Sequence, residues 1–244
     1  MRIDTTAPVT TDNTASIGNA WKNTTQTVTL SPVDSGGSGV ANTYYTTDGS
    51  TPTTSSSAGT SVVLSTDGTY TIKYFSTDTA ANAETVKTAG TQIRIDKTAP
   101  TAAISTASAV YASSTVSYSN ESGQWGGSIT GTAADAGSGV NLVQVSIQQG
   151  SGNFWNGTSF GSASQVFQNA TGTTSWSYAI AASAFSAGGT YTISAKSTDV
   201  ATNVSTTATQ TINVDYDPAK TVFVDNTSGN DANNGTTTDR KSVV

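Results

Sequence analysis

Gly68-Thr69-Tyr70-Thr71-Ile72, running on through Ser76-Thr77-Asp78 to Asn82, returns as Gly189-Thr190-Tyr191-Thr192-Ile193, through Ser197-Thr198-Asp199 to Asn203. Each copy opens on a Gly-Thr turn, alternates apolar and polar residues, and closes on an Asp-x-x-x-Asn turn, which is the pattern of a half-buried strand between two corners. Two further elements repeat around it. Arg2-Ile3-Asp4-Thr5-Thr6-Ala7-Pro8 recurs as Arg94-Ile95-Asp96-Lys97-Thr98-Ala99-Pro100 and, more weakly, as Asn213-Val214-Asp215-Tyr216-Asp217-Pro218-Ala219. Asp34-Ser35-Gly36-Gly37-Ser38-Gly39-Val40 recurs, one residue shorter, as Asp135-Ala136-Gly137-Ser138-Gly139-Val140. Three repeats at domain-sized intervals of roughly a hundred residues imply two homologous modules in tandem.

Composition agrees. Of 244 residues, 81 are Ser or Thr, and Leu occurs only at positions 30, 64 and 142. Strong helix formers are scarce while Thr, Val, Ile and Tyr abound, so the chain reads as all-β. Segments such as 25–30, 43–47, 62–64, 70–75 and 91–95 alternate between Gly, Asp, Ser and Pro clusters roughly every ten residues, the rhythm of a β-sandwich. Tyr70 and Tyr191, each following a Gly-Thr turn, stand where such sandwiches place a corner-bridging tyrosine.

The chain has no His and no Cys. That removes the commonest general base, the thiolate nucleophile, disulfides and nearly every zinc, iron or copper site. The net charge of −6 and pI of about 4.3 argue against nucleic acid and anionic lipid as partners. No stretch approaches the ~20 apolar residues of a membrane span, and Met1 to Pro8 lacks the apolar core of a signal peptide, so an export signal is expected outside this chain. Gly157-Thr158-Ser159-Phe160-Gly161 spells a nucleophile elbow. With no strand-turn-helix context and no His, it reads as a hairpin tip. Glu occurs only at positions 84 and 121; the Asp residues recur once per repeat, as groups do that serve each module rather than a single catalytic pair. No enzyme is expected.

Tyr44-Tyr45-Thr46-Thr47-Asp48-Gly49-Ser50-Thr51-Pro52-Thr53, the Gly-Ser-Gly-Val turns and the Asp-Thr-Thr-Ala-Pro junction resemble bacterial Ig-like repeats. The first module is similar to the chitobiase/β-hexosaminidase C-terminal type, the second to Ig-like repeats of large bacterial surface proteins and adhesins. The expected architecture is two tandem Ig-like β-sandwiches with a short C-terminal extension. Its modules are 1–96 and 97–215. Residues 216–238, with Thr221-Val222-Phe223-Val224-Asp225, resemble the truncated start of a right-handed parallel β-helix domain. Residues 239–244 read as translated sequencing adapter and are set aside.

Asp4, Asp34, Asp78 and Asn82 in the first module, and Asp96, Asp135, Asp199 and Asn203 in the second, are hard oxygen donors beside Gly-rich turns that could add backbone carbonyls, the ligands Ca2+ takes. Gathered at one pole they would repel without a cation. The linker Asp and the Asp-x-x-x-Asn turn also resemble calcium-binding positions at module junctions of such repeats. The competing reading is that these residues only cap turns. In the second module, Trp155, Phe154 and Trp125 are candidates for stacking on a sugar ring. The preferred reading is structural, with Trp176 and Tyr178 filling the core and the Asn-Gly hairpin carrying Trp155 onto a sheet face, since aromatics in small β-domains are usually core. The expected function is a non-catalytic spacer, stalk or adhesin segment, extracellular or on a cell surface. Its partners would be neighbouring domains of the same polypeptide, with polysaccharide or a host glycan as a further partner. The segment itself is expected to be monomeric. The other function considered is a carbohydrate-binding accessory module of a secreted glycan-active enzyme.

Overall fold

The computed structural model describes residues 3–112, 125–185 and 187–215. The expectations for 216–238 and 239–244 lie outside the described residues. The first half runs β1 (Val9–Asp12), α1 (Thr14–Ile17), β2 (Trp21–Lys22), β3 (Gln26–Val33), β4 (Val40–Thr46), β5 (Ser57–Ala58), β6 (Ser61–Leu64), β7 (Gly68–Tyr70), β8 (Lys73–Asp78), β9 (Lys87–Thr88) and β10 (Ile93–Ile95). They form sheets ordered β1-β3-β6, β5-β4-β8-β9 and β2-β10-β7. Thr alternates outward with apolar residues inward, so Val28 and Leu30 of β3 and Val62 and Leu64 of β6 meet Tyr74 of β8 and Ile93 and Ile95 of β10 in one buried core. Burying each such side chain contributes roughly 1.5–3 kcal/mol.

The second half runs β11 (Thr101–Ile104), β12 (Val110–Ala112), β13 (Ser128–Ala134), β14 (Val140–Gln149), β15 (Gln168–Asn169), β16 (Ser175–Ala179), β17 (Gly189–Asp199) and β18 (Ala208–Asp215). A sheet ordered β11-β13-β16 faces one ordered β12-β18-β17-β14-β15. Ile129 and Trp176 on the first meet Val143, Val145, Ile147, Tyr191, Ile193 and Ile212 on the second. The fold is all-β, two Ig-like sandwiches in tandem with separate cores. Gly131 lets the Trp176 ring lie on β13, since a Cβ there would strike that ring and the Ala103 carbonyl.

Both halves pair a short strand in parallel with their last strand, β2 with β10 and β12 with β18. Both carry the tyrosine corner: Tyr70 Oη donates to the Thr66 carbonyl at 2.8 Å, and Tyr191 Oη to Ala187 at 2.7 Å. Tyr111 makes a third such bond, to the Ala107 carbonyl at 3.1 Å. The halves differ in continuity. The expected strand over 70–75 is broken, β7 and β8 being separated at Thr71 and Ile72, whereas β17 runs unbroken; β9 and β10 likewise stand where β18 is one strand. At the break, Thr71 bridges Asp48 and the Ile72 carbonyl accepts from the Ala89 amide at 2.8 Å.

Candidate metal centre

The Asp-x-x-x-Asn turn is built alike in both halves. Asn82 donates its backbone amide to Asp78 Oδ1 and its side-chain Nδ2 to Asp78 Oδ2, both at 2.7 Å; Asn203 does the same to Asp199. The residue before each Asn, Ala81 or Thr202, sits in the left-handed region at φ 69° or 75°. This turns the Asn back over the strand end, and its Nδ2 also reaches the Asp4 carbonyl at 3.1 Å, or that of Asp96 at 2.9 Å. The junction Asp is thereby drawn to the turn Asp.

The Gly-rich loop completes each group. Ser38 N donates to Asp4 Oδ2 at 2.8 Å, and Ser138 N to Asp96 Oδ2 at 2.6 Å. Gly39 and Gly139 donate their amides to Asp34 Oδ2 and Asp135 Oδ2, both at 2.6 Å. A Cβ on Gly36 or Gly137 would collide with the Asp4 or Asp96 carboxylate, so only glycine permits the approach. The outcome is two triads, Asp4/Asp34/Asp78 and Asp96/Asp135/Asp199, each presenting three carboxylate oxygens within 4.8 Å of one another. Asp78, Asp96 and Asp199 are buried; Asp4, Asp34 and Asp135 are half-buried. Two like charges ~5 Å apart repel by about 3 kcal/mol at an effective dielectric of ~20.

Hydrogen bonding from the Ser38 hydroxyl, then the Thr6 and Ser38 amides, holds the Asp4 carboxyl below its ordinary value. Burial pushes Asp78 up and Asp4 beside it adds to that, yet the Asn82 and Ser38 bonds outweigh both, and the net direction is down. Both groups are therefore charged at neutral pH. Asp34 Oδ1 accepts from Gly36 N at 2.9 Å. In the loop that is one residue shorter, the matching Asp135 Oδ1 is buried with no hydrogen-bond partner. An all-oxygen donor set with one buried orphan oxygen fits a hard divalent cation such as Ca2+.

Asp96 belongs to the junction. Its amide donates to Lys22 O at 2.9 Å, and the Lys97 amide and Thr98 hydroxyl donate to Asp67 at 2.8 and 2.6 Å, all in the first half. Its carboxylate and carbonyl are held by Ser138 and Asn203 of the second. Sequence reading named the eight Asp and Asn residues that the structure brings into these two groups. It missed Ser38 and Ser138, whose signal was their fixed place in the repeated Gly-rich loop.

The aromatic candidates are elsewhere. Trp125 and Trp155 are buried, at 8% and 7% exposure, in the second core. Trp125 Nε1 donates to the Ile180 carbonyl at 2.6 Å and Trp155 Nε1 to Tyr178 Oη at 2.8 Å. Phe154 is half-buried, bridging Gln148 and Ser162. Trp125 packs edge-on against Phe185, and Trp155 packs on Phe160 of its own hairpin, which in turn lies against Phe185 and Tyr191, so both Trp rings belong to the core. Ser159 of the elbow-like motif lies in the loop closed by the Phe154–Ser162 bridge, with its carbonyl accepting from the Asn156 amide. Among the described residues, no helix is long and apolar enough to cross a membrane.

Residues 18–88 match the chitobiase/beta-hexosaminidase C-terminal domain family. No curated protein matches the chain. Among solved structures, the fibronectin(III)-like modules of Clostridium thermocellum CbhA are 13% identical, with 84% of this chain and 94% of that one covered and a TM-score of 0.33. A 1.5-MDa bacterial ice-binding adhesin is 14% identical, covering 87% and 66%, with a TM-score of 0.40. A Ca2+-stabilized adhesin of an Antarctic bacterium is 19% identical, covering 86% and 50%, with a TM-score of 0.35.

Proposed function

We propose that the chain is a non-catalytic spacer segment of a bacterial surface or secreted protein. Its modules, 1–96 and 97–215, are held in fixed relation by Ca2+ to present a further domain at a distance. The observation that carries this reading is the position of Asp96. Asp96, the residue directly after β10, supplies its carboxylate to a triad completed by Asp135 and Asp199 of the next sandwich, so a cation there would tie the two together. Asp4 offers the same arrangement at the start of the first sandwich, as expected of a segment in a longer array. Asp4, Asp34 and Asp78 would hold one ion and Asp96, Asp135 and Asp199 the other, with Asn82 and Asn203 orienting Asp78 and Asp199 through their amides. The ion would supply charge neutralisation and rigidity. Proline at 8 and 100 restricts the junctions further, since it fixes its own backbone and extends the residue before it.

A spacer exposed outside the cell would meet the millimolar Ca2+ at which extracellular sites of this donor type fill. The accessory-module alternative loses its footing in the second module with Trp125 and Trp155 in the core. Calorimetric titration with Ca2+ tests the reading: two ions per chain are expected, and one for the Asp199→Asn variant. Absence of binding heat up to several millimolar Ca2+, with the chain folded, would contradict it.

A further inference from the structure

The first half carries an open groove of about 400 Å³, lined by Gly18, Asn19, Gly90, Thr91, Gln92 and Arg94. It lies between the end of α1 and the break separating β9 from β10. The second half has neither a helix before its short parallel strand nor a break in β18. The side chains differ too. Arg94 pairs in register with Trp21, whereas the corresponding pair is Asn213 and Val110. The same sandwich thus folds without this pair, so the architecture does not require it.

Arg94 is half-buried, its guanidinium carbon 6.0 Å from the centre of the half-buried Trp21 ring. The salt bridge found among the described residues joins Lys87 to Glu84 and leaves Arg94 without a carboxylate, in a chain with 16 acidic and 10 basic residues. A guanidinium held in a concavity offers a planar fork that matches a carboxylate. Around it stand groups suited to hydroxyls. Gln92 donates Nε2 to Thr71 Oγ1 at 2.9 Å, which keeps its carbonyl oxygen as an acceptor, and Asn19 and Thr91 add donors and acceptors. An acceptor such as Gln92 Oε1 favours a ligand with hydroxyl donors over a bare phosphate.

We infer that this groove binds a uronic acid residue, with Arg94 on the carboxylate and Asn19, Thr91 and Gln92 on the ring hydroxyls. The inference is independent of calcium and of the spacer reading. The test is amide NMR of the full chain titrated with D-galacturonate and D-glucuronate, beside D-galactose, D-glucose, acetate and inorganic phosphate at equal ionic strength. A saturable shift at the Gly18 and Gly90 amides with at least one uronate, tenfold weaker with its neutral sugar and with acetate, is expected. Arg94→Gln should weaken it at least tenfold. Asn19→Ala and Gln92→Ala, in exposed loops that leave the strands intact, should weaken it threefold or more. No shift with either uronate, an equal response to acetate or phosphate (an adventitious ion only), or undiminished binding by the folded loop variants would overturn it.

Discussion

At Asp135 the chain buries a carboxylate oxygen that its counterpart Asp34 keeps bonded to an amide. Leaving a buried acceptor unpaired costs about 1–3 kcal/mol, and neighbouring carboxylates add repulsion. Asp135→Asn should therefore change sign with conditions: thermal unfolding in chelator should shift upward relative to the parent, and in millimolar Ca2+ downward. A shift of one sign in both would remove Asp135 from any ion site. Asp12 gives a second residue-level test. Burial raises its carboxyl, but bonds from Thr14 and from Tyr74 Oη, the latter at 2.8 Å, bring it below its ordinary value. Burial, then Asp12, pushes the Tyr74 phenol up, so it stays a donor. A depressed carboxylate contributes stability above its unfolded value near 4 and loses it as pH falls through the folded value. Tyr74→Phe should cost about 1–2 kcal/mol at pH 7 by urea unfolding, and the gap from the parent should narrow below about pH 4. A gap that is constant with pH would contradict this.

At the scale of elements, the two Asp-x-x-x-Asn turns place Ala81 and Thr202 in a conformation that disfavours any side chain, most of all a β-branched one. Ala81→Gly should leave stability unchanged or raise it by up to about 1 kcal/mol, less what glycine adds to the unfolded chain's freedom, and Thr202→Gly should do the same less the Asn23 bond that its hydroxyl accepts. A loss above ~1 kcal/mol in urea unfolding would mean that the side chains themselves hold the turn. These turns, the Gly-rich loops and the junctions were legible because each occurs twice, and duplication exposes what a single alternating strand hides. The break at Thr71 and Ile72 was not legible, since apolar alternation continues across it while the backbone bonds switch to Asp48 and Ala89. The sequence itself favours a core role for the second module's aromatics, since rings in small β-domains are usually buried. What the Asn-Gly flank leaves open is whether Trp155 points to solvent or packs on Phe160 of its own hairpin. The pairing of Arg94 with Trp21 joins residues far apart in sequence and leaves no local pattern.

For the whole molecule, two separate cores meet at a junction whose residues bond to both sides: Asp67 and Lys22 on one, Ser138 and Asn203 on the other. Asn23 adds a direct bond across it, Nδ2 to Thr202 Oγ1 at 3.2 Å. A ligand that binds only the folded state at a hundredfold over its dissociation constant stabilises by about 2.7 kcal/mol, which for modules of this size moves the midpoint by roughly 10 °C or more. The decisive measurement is thermal unfolding of the full chain over a Ca2+ series, with Asp96→Asn alongside. Ca2+ should raise the midpoints of both modules in the parent, while Asp96→Asn should abolish the rise in the second and keep it in the first. Midpoints that ignore Ca2+ in the parent, or a variant that responds as the parent does, would contradict the account.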